Sequence, residues 1–417
     1  MASKYQKSEN NLESNIQSDF EPSIGKVGVL GSGLMGHGIA CVSALAGIEV
    51  ILVDTTKEQA EFGFSKIKQI LQKRVDKKTL TEKDFNTILS RIFTTSNYED
   101  LSSCELIIEA VFENKDLKKQ VTIKAESVIK TDTIFASNTS TIPITELAKN
   151  SNRPKQFIGL HFFSPVDRMK LVEIIKGEKT SKRTLSKAYN YVLSLKKTPI
   201  IVNDGRGFYT TRVFERYTCE GMALLEEGVS PKRIEEIGKK AGYPIGPLAI
   251  LDEITISLAY HIREQVREPL SSKSEPWDKV MEIMISDLNR TGKSNNGGFY
   301  EYPKDAKKYL WPQLKNYFTI SKEELDEQEI IDRFYFSQVI ETIRCFEERI
   351  ITSVSDANIG SMLGWGFPRQ KGGTLQFVND YGLLLFQKRA QELMNKYGSR
   401  FSPPKLLDEM IKSNSTF

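Results

Sequence analysis

The chain has 417 residues, of which 39% are hydrophobic and 27% charged, so it is too apolar for an intrinsically disordered protein. Its 58 basic and 54 acidic side chains give a formal net charge of +4, too even a balance for a dedicated nucleic-acid binder. Four scattered cysteines without a Cys-x-x-Cys pair exclude a disulfide scaffold and a cysteine-based zinc site, and we expect no metal site.

The N-terminal residues 1–23 are polar and include four acidic side chains, and we expect a flexible tail there. Those acids argue against a mitochondrial transit peptide, and the C-terminus matches no peroxisomal signal. The uncharged stretch 27–48 is long enough to cross a bilayer, but its six glycines favour a buried strand, turn and helix. We therefore expect a soluble, cytoplasmic protein without a membrane span.

A glycine-rich motif at 31–36 directly follows an apolar run at 26–30 that is typical of a buried strand, and an apolar helix is predicted at 39–46. A second predicted strand, 49–53, is followed by Asp54, which is 18 residues past Gly36, the last glycine of the motif. Such glycines let the backbone turn tightly and approach a pyrophosphate at a helix N-terminus. A carboxylate at 54 would bind ribose hydroxyls and repel a 2′-phosphate, so the pattern predicts NAD rather than NADP.

Strand and helix signals continue to alternate, with strands predicted at 105–111 and 133–136 and a helix between them at 115–129. Repeated units of this kind predict an α/β Rossmann fold with a doubly wound, mostly parallel sheet. Ligands of such sheets bind beyond the carboxyl ends of the strands, where Glu113 and Ser137 fall. The polar run after Ser137 is equally consistent with a simple loop and helix cap.

Of three histidines, His161 has a distinctive context. It follows an apolar strand predicted at 157–160, and a second strand is predicted at 170–175 after a short turn. That hairpin would bring Glu173 back to His161, and a carboxylate on one ring nitrogen would suit a general base that removes a hydroxyl proton during hydride transfer. A buried structural pair would give the same pattern. His37, inside the first helix, is expected to be a packing residue or a neighbour of the cofactor phosphates, and His261 an ordinary surface or core residue of a predicted helix.

Seven motifs resemble the 3-hydroxyacyl-CoA dehydrogenases of fatty acid β-oxidation, above all the dehydrogenase part of the multifunctional β-oxidation α subunits. They occur in the family's order and cover nearly the whole chain after the tail. The matching stretches are VGVLGSGLMG (27–36), IEAVFE (108–113), FASNTS (135–140), GLHFFSP (159–165), MKLVEII (169–175), GFYTTR (207–212) and GFYEY (298–302). The resemblance implies NAD-dependent oxidation of (S)-3-hydroxyacyl-CoA to 3-ketoacyl-CoA, with an acyl-CoA as the substrate.

The resemblance also implies a role for each matching residue. His161 matches the catalytic base, Glu173 the carboxylate paired with it, and Ser137 the serine that contacts the substrate 3-oxygen near the nicotinamide. Thr211 matches a substrate-positioning residue, and Lys77 a contact to the CoA portion. With Ser137, the implied cofactor-binding residues are Gly31, Ser32, Gly33, Leu34, Met35, Gly36, Asp54, Glu113, Lys118 and Ser164.

Some positions depart from the family pattern or match it loosely. Ser164 and Thr211 replace asparagines of the single-activity mitochondrial enzymes, as in the multifunctional α subunits. Arg206 replaces a proline common to both groups, and nothing in the sequence explains it. The alignment at Lys77 is loose, and a solvated face of the basic helix predicted at 66–78 would look the same.

No stretch resembles the hydratase half of the α subunits, and residues 1–23 could not hold one, so no hydratase activity is expected. The implied pathway partners are a separate enoyl-CoA hydratase and a thiolase. Two other hypotheses stay open. One is a Rossmann dehydrogenase for another 3-hydroxy acid or a sugar acid, and the other is a non-catalytic NAD-binding relative.

Helical patterns replace strand signals from about Arg206 onward, and the segments 223–252 and 344–380 look alike. Each has a pair of glutamates, then a glycine–aromatic–proline turn and a further helix. We predict two copies of one all-helical domain, of the type that the resembling family carries at its C-terminus, joined by a charged linker at 302–332. In the family that the chain resembles, single-activity members carry one such domain and dimerise through it, whereas the multifunctional subunits carry two. The resemblance therefore implies that the second copy occupies the place of a partner subunit and makes the chain a monomer, with a homodimer as the alternative. The predicted domains are 24–205 (NAD-binding), 206–305 (first helical copy) and 306–417 (linker and second copy).

Overall fold

The computed structural model describes residues 24–260, 275–295, 297–318, 321 and 325–417. The predicted tail and His261 lie outside the described residues. The chain divides into two compact units, one of residues up to Phe208 with Arg349–Gly364, the other of Tyr209–Glu348 with Trp365–Phe417. The helix-rich unit is thus a single compact body.

The first unit contains one eight-stranded sheet in the order β3-β2-β1-β4-β5-β6-β7-β8. Strands β1 to β6 are parallel, β7 is antiparallel to β6, and β8 is parallel to β7. The predicted mostly parallel Rossmann-like sheet is therefore confirmed. The strands are β1 Lys26–Leu30, β2 Glu49–Val53, β3 Ile92–Thr95, β4 Leu106–Glu109, β5 Ile134–Ser137, β6 Phe157–Phe162, β7 Leu171–Lys176 and β8 Thr198–Asn203.

The central strands are buried on both faces, as parallel sheets usually are, which is why their sequences are nearly continuous apolar runs. Val27 and Val29 of β1 and Val50 and Leu52 of β2 have no exposed surface. Each such side chain contributes about 1.5–3 kcal/mol of burial free energy relative to leaving it in water. This burial holds the carboxyl ends of the strands at one edge of the sheet.

Helices connect these strands, and polar side chains cap several of them. Thr56, Asn114 and Ser181 each accept a hydrogen bond from the backbone N–H three residues later, which satisfies a donor that the helix itself leaves unpaired. The helices are α1 Leu34–Leu45, α2 Lys57–Asp76, α3 Glu82–Leu89, α4 Lys115–Glu126, α5 Ile144–Ala148 and α6 Lys182–Ser194.

Three predicted helices differ in their bounds. The helix predicted at 66–78 is α2, which begins earlier, at Lys57, and ends at Asp76. Helix α1 begins at Leu34, inside the glycine motif, and not at residue 39, because Gly33 adopts an extended conformation and the following residues are already helical. Helix α4 ends at Glu126, three residues before the predicted end at 129. Ser127 is the C-cap residue, and a turn follows it.

One segment of the second half of the chain completes the first unit. Ile351 forms an antiparallel bridge with Val202 of β8, and the Asn203 N–H donates to the Ile350 carbonyl oxygen at 2.8 Å. The carboxylate of Asp356, on the helix α13 (Val354–Gly364), accepts the Ile201 N–H at 3.0 Å. The sequence prediction had assigned this segment to the second helical copy.

The second unit is mainly helical but includes a short antiparallel hairpin, β9 (Tyr300–Glu301) with β10 (Tyr309–Leu310). The all-helical prediction is wrong at this point, because two-residue strands carry no detectable alternation. Its helices are α7 Thr210–Glu226, α8 Pro231–Lys240, α9 Pro247–Ile254, α10 Pro276–Glu282, α11 Leu314–Tyr317, α12 Glu327–Glu347, α14 Thr374–Tyr381, α15 Leu383–Tyr397 and α16 Lys405–Lys412. The predicted linker therefore includes α11 and the first residues of α12.

Buried ion pairs join α7 to α12 within the second unit. The Arg333 guanidinium on α12 has no exposed surface and lies 2.5 Å from the carboxylate of Glu220 on α7. Arg400 approaches the other oxygen of Glu220 at 2.9 Å. Burial alone would raise the pKa of Glu220, but the two arginines outweigh it and lower that pKa below its usual range.

Candidate active site

His161 and Glu173 face each other across two neighbouring strands. His161 lies within β6, which extends past the predicted residue 160 to Phe162, and the antiparallel register sets it directly opposite Glu173 of β7. The ring nitrogen Nδ1 is 2.9 Å from Glu173 Oε2, and the two residues are 6% and 0% exposed. With Nδ1–H donated to the carboxylate, Nε2 carries the lone pair that can accept a proton. The predicted pairing is confirmed.

Aromatic side chains border His161. The ring centroid of Phe163 lies 4.5 Å from the imidazole and that of Phe208 lies 6.3 Å away. Phe208 follows Gly207, and both have positive φ, of +49° and +69°. This turn brings a fully buried ring next to the histidine, where it keeps water from one side of the imidazole.

The loop that joins His161 to Glu173 is held by a buried lysine. Lys197 Nζ donates to the carbonyl oxygens of Val166 at 2.6 Å and Met169 at 2.5 Å. Burial lowers the pKa of Lys197, although Asp167 opposes that shift. Val166 also packs against α1, since a Cβ on Gly38 would come within 2.8 Å of it. The hairpin is therefore anchored to the helix that begins at the glycine motif.

The three glycines of the motif have distinct surroundings. Gly31 has φ +91°, and a Cβ there would lie 2.8 Å from the Ala110 carbonyl oxygen. A Cβ on Gly36 would lie 1.7 Å from the Gly31 oxygen, so this position needs glycine for chain packing. A Cβ on Gly33 would meet no atom within 4 Å. Open space at Gly33, at the N-terminus of a twelve-residue helix without a side-chain cap, fits the close approach of a pyrophosphate.

A matched pair of alanine substitutions separates these two glycine roles. Gly36→Ala will destabilise the protein by about 1–3 kcal/mol, since the backbone must shift to admit the methyl group. Gly33→Ala will leave the melting temperature nearly unchanged and weaken NAD binding, since its methyl group occupies the open space. Thermal melts with and without NAD test both, and a Gly33→Ala protein that binds NAD as the wild type does would contradict the assignment.

Asp54 follows β2 and is held in place by Ser32 and Thr55. Its Oδ2 accepts from the Ser32 N–H at 2.7 Å and from Ser32 Oγ at 2.6 Å, while Oδ1 accepts from the Thr55 N–H at 2.7 Å. Burial works against the charged form, but these hydrogen bonds outweigh it and lower the pKa of Asp54. A charged, oriented carboxylate stands where a ribose acceptor is predicted.

Glu113 and Lys118 lie together beyond the end of β4. Lys118 is 1% exposed, and its Nζ lies 3.3 Å from Glu113 Oε2. The other oxygen of Glu113 accepts from the N–H groups of Ser140 at 2.9 Å and Thr141 at 3.1 Å, so it also anchors the loop after β5. Burial raises the pKa of Glu113, but Lys118 and these hydrogen bonds prevail and lower it.

Glu109 belongs to the same cluster, although no role for it is predicted from the sequence. It is the last residue of β4 and 1% exposed, and Lys118 Nζ lies 2.8 Å from its Oε1. Ser137, fully buried at the end of β5, donates its hydroxyl to Glu109 Oε2 at 2.7 Å. The sequence feature that could have indicated a role for Glu109 is the presence of an acidic residue in the otherwise apolar strand β4.

The remaining predicted residues differ in burial and in the unit to which they belong. Ser164 is exposed in the loop after β6, and Lys77 is exposed just past the end of α2, so the helix predicted at 66–78 is shorter at its C-terminus. Leu34, which follows Gly33 at the start of α1, is 67% exposed. Thr211 is in the first turn of α7 and belongs to the second unit.

Comparisons with known proteins identify the family of the chain. Residues 26–205 match the family model of the 3-hydroxyacyl-CoA dehydrogenase NAD-binding domain, and residues 207–302 match that of the C-terminal domain. The chain is 34% identical over 405 residues to the fatty acid oxidation complex subunit alpha of Acinetobacter baylyi, covering 94% of this chain and 56% of that protein. It thus spans little more than half the length of that relative.

Two solved structures are similar over their full lengths. One is an (S)-3-hydroxybutyryl-CoA dehydrogenase from Ralstonia eutropha, 35% identical, with a TM-score of 0.64 over 68% of this chain and 100% of that one. The other is a 3-hydroxybutyryl-CoA dehydrogenase from Escherichia coli, 23% identical, with a TM-score of 0.78 over 94% of this chain, which shows a common fold.

The fold and the glycine loop are those of an NAD-binding domain. The chain belongs to the 3-hydroxyacyl-CoA dehydrogenase family. Within the residues described by the structure, no helix is long and apolar enough to cross a membrane.

Proposed function

We propose that the chain oxidises (S)-3-hydroxyacyl-CoA to 3-ketoacyl-CoA with NAD, as a step of fatty acid β-oxidation. The observation that carries the proposal is the buried His161–Glu173 pair, with Nδ1 and Oε2 2.9 Å apart. Strands β1 and β6 belong to the parallel part of the sheet, so their carboxyl ends lie along one edge. The glycine loop and the histidine therefore share the edge where such sheets bind ligands.

In this proposal the side chains of the protein bind and transfer a single proton. Glu173 holds the Nδ1–H, so that Nε2 accepts the proton of the 3-hydroxyl group, and the carboxylate stabilises the imidazolium that forms. Bound NAD supplies the acceptor for the hydride that leaves C3. Phe163 and Phe208 limit the access of water to the charged ring. In the reverse direction, His161 returns the proton to the 3-keto oxygen.

The cofactor residues proposed from the sequence keep their roles here. The loop from Gly31 to Gly36, with Ser32, Leu34 and Met35, would hold the pyrophosphate at the N-terminus of α1, and Asp54 would hold the adenosine ribose. Glu113, Lys118, Ser137 and Ser164 would line the nicotinamide half. The open space at Gly33 and the charged state of Asp54 support this arrangement.

The substrate is the less determined part of the proposal. Similarity to the (S)-3-hydroxybutyryl-CoA dehydrogenase of Ralstonia eutropha favours a short acyl chain, and similarity to the fatty acid oxidation complex subunit alpha of Acinetobacter baylyi favours fatty acid oxidation. Thr211 would position the substrate and Lys77 would contact the CoA portion. A separate enoyl-CoA hydratase and a thiolase would supply the substrate and consume the product.

The experiment is NADH oxidation on addition of acetoacetyl-CoA, run beside a long-chain 3-ketoacyl-CoA. We expect turnover with at least one substrate, and the ratio of the two kcat/KM values ranks the chain lengths. Lys77→Ala should raise KM for both without changing kcat, because a contact to CoA binds ground state and transition state alike. Measurable NAD binding without turnover on either substrate would reject the acyl-CoA assignment.

We also propose that the second unit contains two copies of one helical domain and that the chain is monomeric. The support is a pair of side-chain contacts to the backbone at neighbouring, though not equivalent, positions of the two copies. Asp252 on α9 accepts the N–H groups of Phe299 and Tyr300, both at 2.9 Å, and Asn379 on α14 accepts the N–H of Phe417 at 3.1 Å. Sedimentation of the dilute protein as a stable dimer would count against the monomer.

A further inference from the structure

The turn between His161 and Glu173 is held on two sides. On one side is Lys197, which immediately precedes β8. Its ammonium group donates to the carbonyl oxygens of Val166 at 2.6 Å and Met169 at 2.5 Å. On the other side, the side chain of Val166 lies directly on helix α1, which begins at the glycine motif.

The contact between Val166 and α1 is closer than a side chain on the helix would permit. A Cβ on Gly38 would lie 2.8 Å from the Cβ of Val166 and 2.9 Å from its Cγ2. Unstrained carbon atoms approach to about 3.5–4.0 Å. Val166 is only 3% exposed, and Gly38 is buried as well. The missing side chain at Gly38 therefore allows the turn to pack against the helix.

The group that holds this turn is a buried charge. Lys197 is 8% exposed, and its two hydrogen bonds go to neutral carbonyl groups. Burying an ammonium is costly unless hydrogen bonds replace its hydration. Hydrogen bonds from a charged donor are about twice as strong as neutral ones. The backbone at Val166 is therefore held firmly in place.

The proposed reaction requires α1 and the hairpin of His161 to keep a fixed separation. The dinucleotide of the proposed function binds at the N-terminus of α1, whereas His161 belongs to β6. The substrate must give its hydride to the first and its hydroxyl proton to the second, so a misplacement of about 1 Å can cost on the order of 100-fold in rate. In the sheet, β4 and β5 separate β1 from β6, which places these strands about 14 Å apart. The contact of Val166 with Gly38 joins α1 to the hairpin directly.

We propose that Val166 is a positioning residue, which sets the placement of His161 relative to the cofactor helix α1 through its contact with Gly38. This inference rests on the proposed function and extends it to residues outside the reacting centre. Lys197 acts through Val166, because it fixes the carbonyl group of that residue. Changes at these three positions should slow hydride transfer without weakening the binding of NADH.

The first test moves a Cβ atom from one side of the contact to the other. Gly38→Ala forces Val166 away from α1 and should slow hydride transfer to acetoacetyl-CoA by about 10- to 100-fold. Val166→Gly leaves a gap and should slow it less, because Lys197 still holds the turn. In the double variant the new methyl group fills part of that gap, so hydride transfer should be faster than in Gly38→Ala alone. Stopped-flow mixing of the NADH complex with saturating acetoacetyl-CoA measures the rate in one turnover.

Two readouts separate positioning from a general structural effect. NADH deuterated at the transferred hydrogen should show a full primary isotope effect in Gly38→Ala, because the hydride step itself is slow. The affinity for NADH, measured by fluorescence titration, should equal that of the wild type. Gly221→Ala is the matched control, since a Cβ there would lie 2.6 Å from the Cβ of Pro247 within the second unit. It should lower the melting temperature and leave the rate of hydride transfer unchanged.

The second test removes the hydrogen bonds that hold Val166. Lys197→Met leaves the carbonyl oxygens of Val166 and Met169 without this donor and should slow the hydride step. Lys197→Gln is equally uncharged but keeps two N–H donors, so it should retain more of the rate. A wild-type rate of hydride transfer in Lys197→Met would overturn the role of Lys197.

Three results would overturn the role of Val166. A wild-type rate of hydride transfer in a folded Gly38→Ala protein would show that the contact does not position His161. A loss that is explained by weaker NADH binding would assign Gly38 to the cofactor site. A double variant no faster than Gly38→Ala would show that the two residues do not act through their contact.

The wild-type protein distinguishes failure of this inference from failure of the proposed function. Turnover in the wild type together with any of those three results rejects the inference alone. A wild type that binds NADH but does not reduce acetoacetyl-CoA or a long-chain 3-ketoacyl-CoA rejects the proposed function, and the inference with it. If Gly38→Ala does not fold, the rates of Val166→Gly and Lys197→Met decide.

Discussion

Replacing His161 with glutamine will lower kcat for acetoacetyl-CoA reduction by about 10²- to 10⁴-fold, the usual contribution of a positioned acid–base group. Glutamine fills a similar volume and can still hydrogen-bond to Glu173, so the strands should keep their register. NAD affinity should be nearly unchanged, because the histidine handles the proton and not the dinucleotide. Stopped-flow NADH fluorescence measures the rate, and calorimetry measures the affinity.

Two further variants make this result specific. Glu173→Gln should give a smaller loss of kcat, since its amide oxygen can accept the Nδ1 hydrogen bond but supplies no charge to stabilise the imidazolium. Lys155→Gln, at the opposite end of β6, should behave as the wild type does. Retention of wild-type kcat in the His161→Gln protein would mean that another group moves the proton.

Replacing Arg333 with methionine will lower the free energy of unfolding by about 3–5 kcal/mol, because it leaves the buried carboxylate of Glu220 with too little positive charge. The guanidinium of Arg333 has no exposed surface and lies 2.5 Å from that carboxylate. Arg400, 2.9 Å from Glu220, compensates only in part. Urea unfolding followed by circular dichroism measures the loss.

The pH dependence gives this prediction a second readout. The pKa of Glu220 is lower in the folded protein than its ordinary value of 4.5. Ionised Glu220 therefore stabilises the folded state above pH 4.5, and this contribution to the free energy of unfolding is lost as the pH falls through the folded-state pKa. The Arg333→Met protein should lose less stability between neutral and acidic pH. Lys232→Ala, which removes an exposed pair with 3.8 Å between Lys232 and Glu236, should cost about 0–1 kcal/mol. An Arg333→Met protein as stable as the wild type would contradict the prediction.

The sequence predicted the His161–Glu173 pair because the information is local. Two apolar runs joined by a short turn specify a hairpin, and the partners are only twelve residues apart. The first strands and the glycine motif were predictable for the same reason, since burial on both faces leaves an uninterrupted apolar run.

The Glu109–Ser137 contact could not be predicted in the same way. The two residues are 28 positions apart, and they meet only because β4 and β5 pair in one particular register. Nothing in the composition of either strand fixes that register. The attachment of 349–364 to the first unit was hidden for a related reason, because similarity to the first helical copy says nothing about where a repeat packs.

The attachment of 349–364 to β8 affects how the protein is made. Ribosomes add about 5–20 residues per second, so roughly 10–30 s pass between the synthesis of β8 and that of the segment 349–364 that pairs with it. During that time the N–H groups of Ile201 and Asn203 lack the acceptors that the mature protein provides. An unpaired strand edge on a nascent chain is a site for aggregation and chaperone binding. The final step of this sheet's assembly therefore belongs to a late stage of translation.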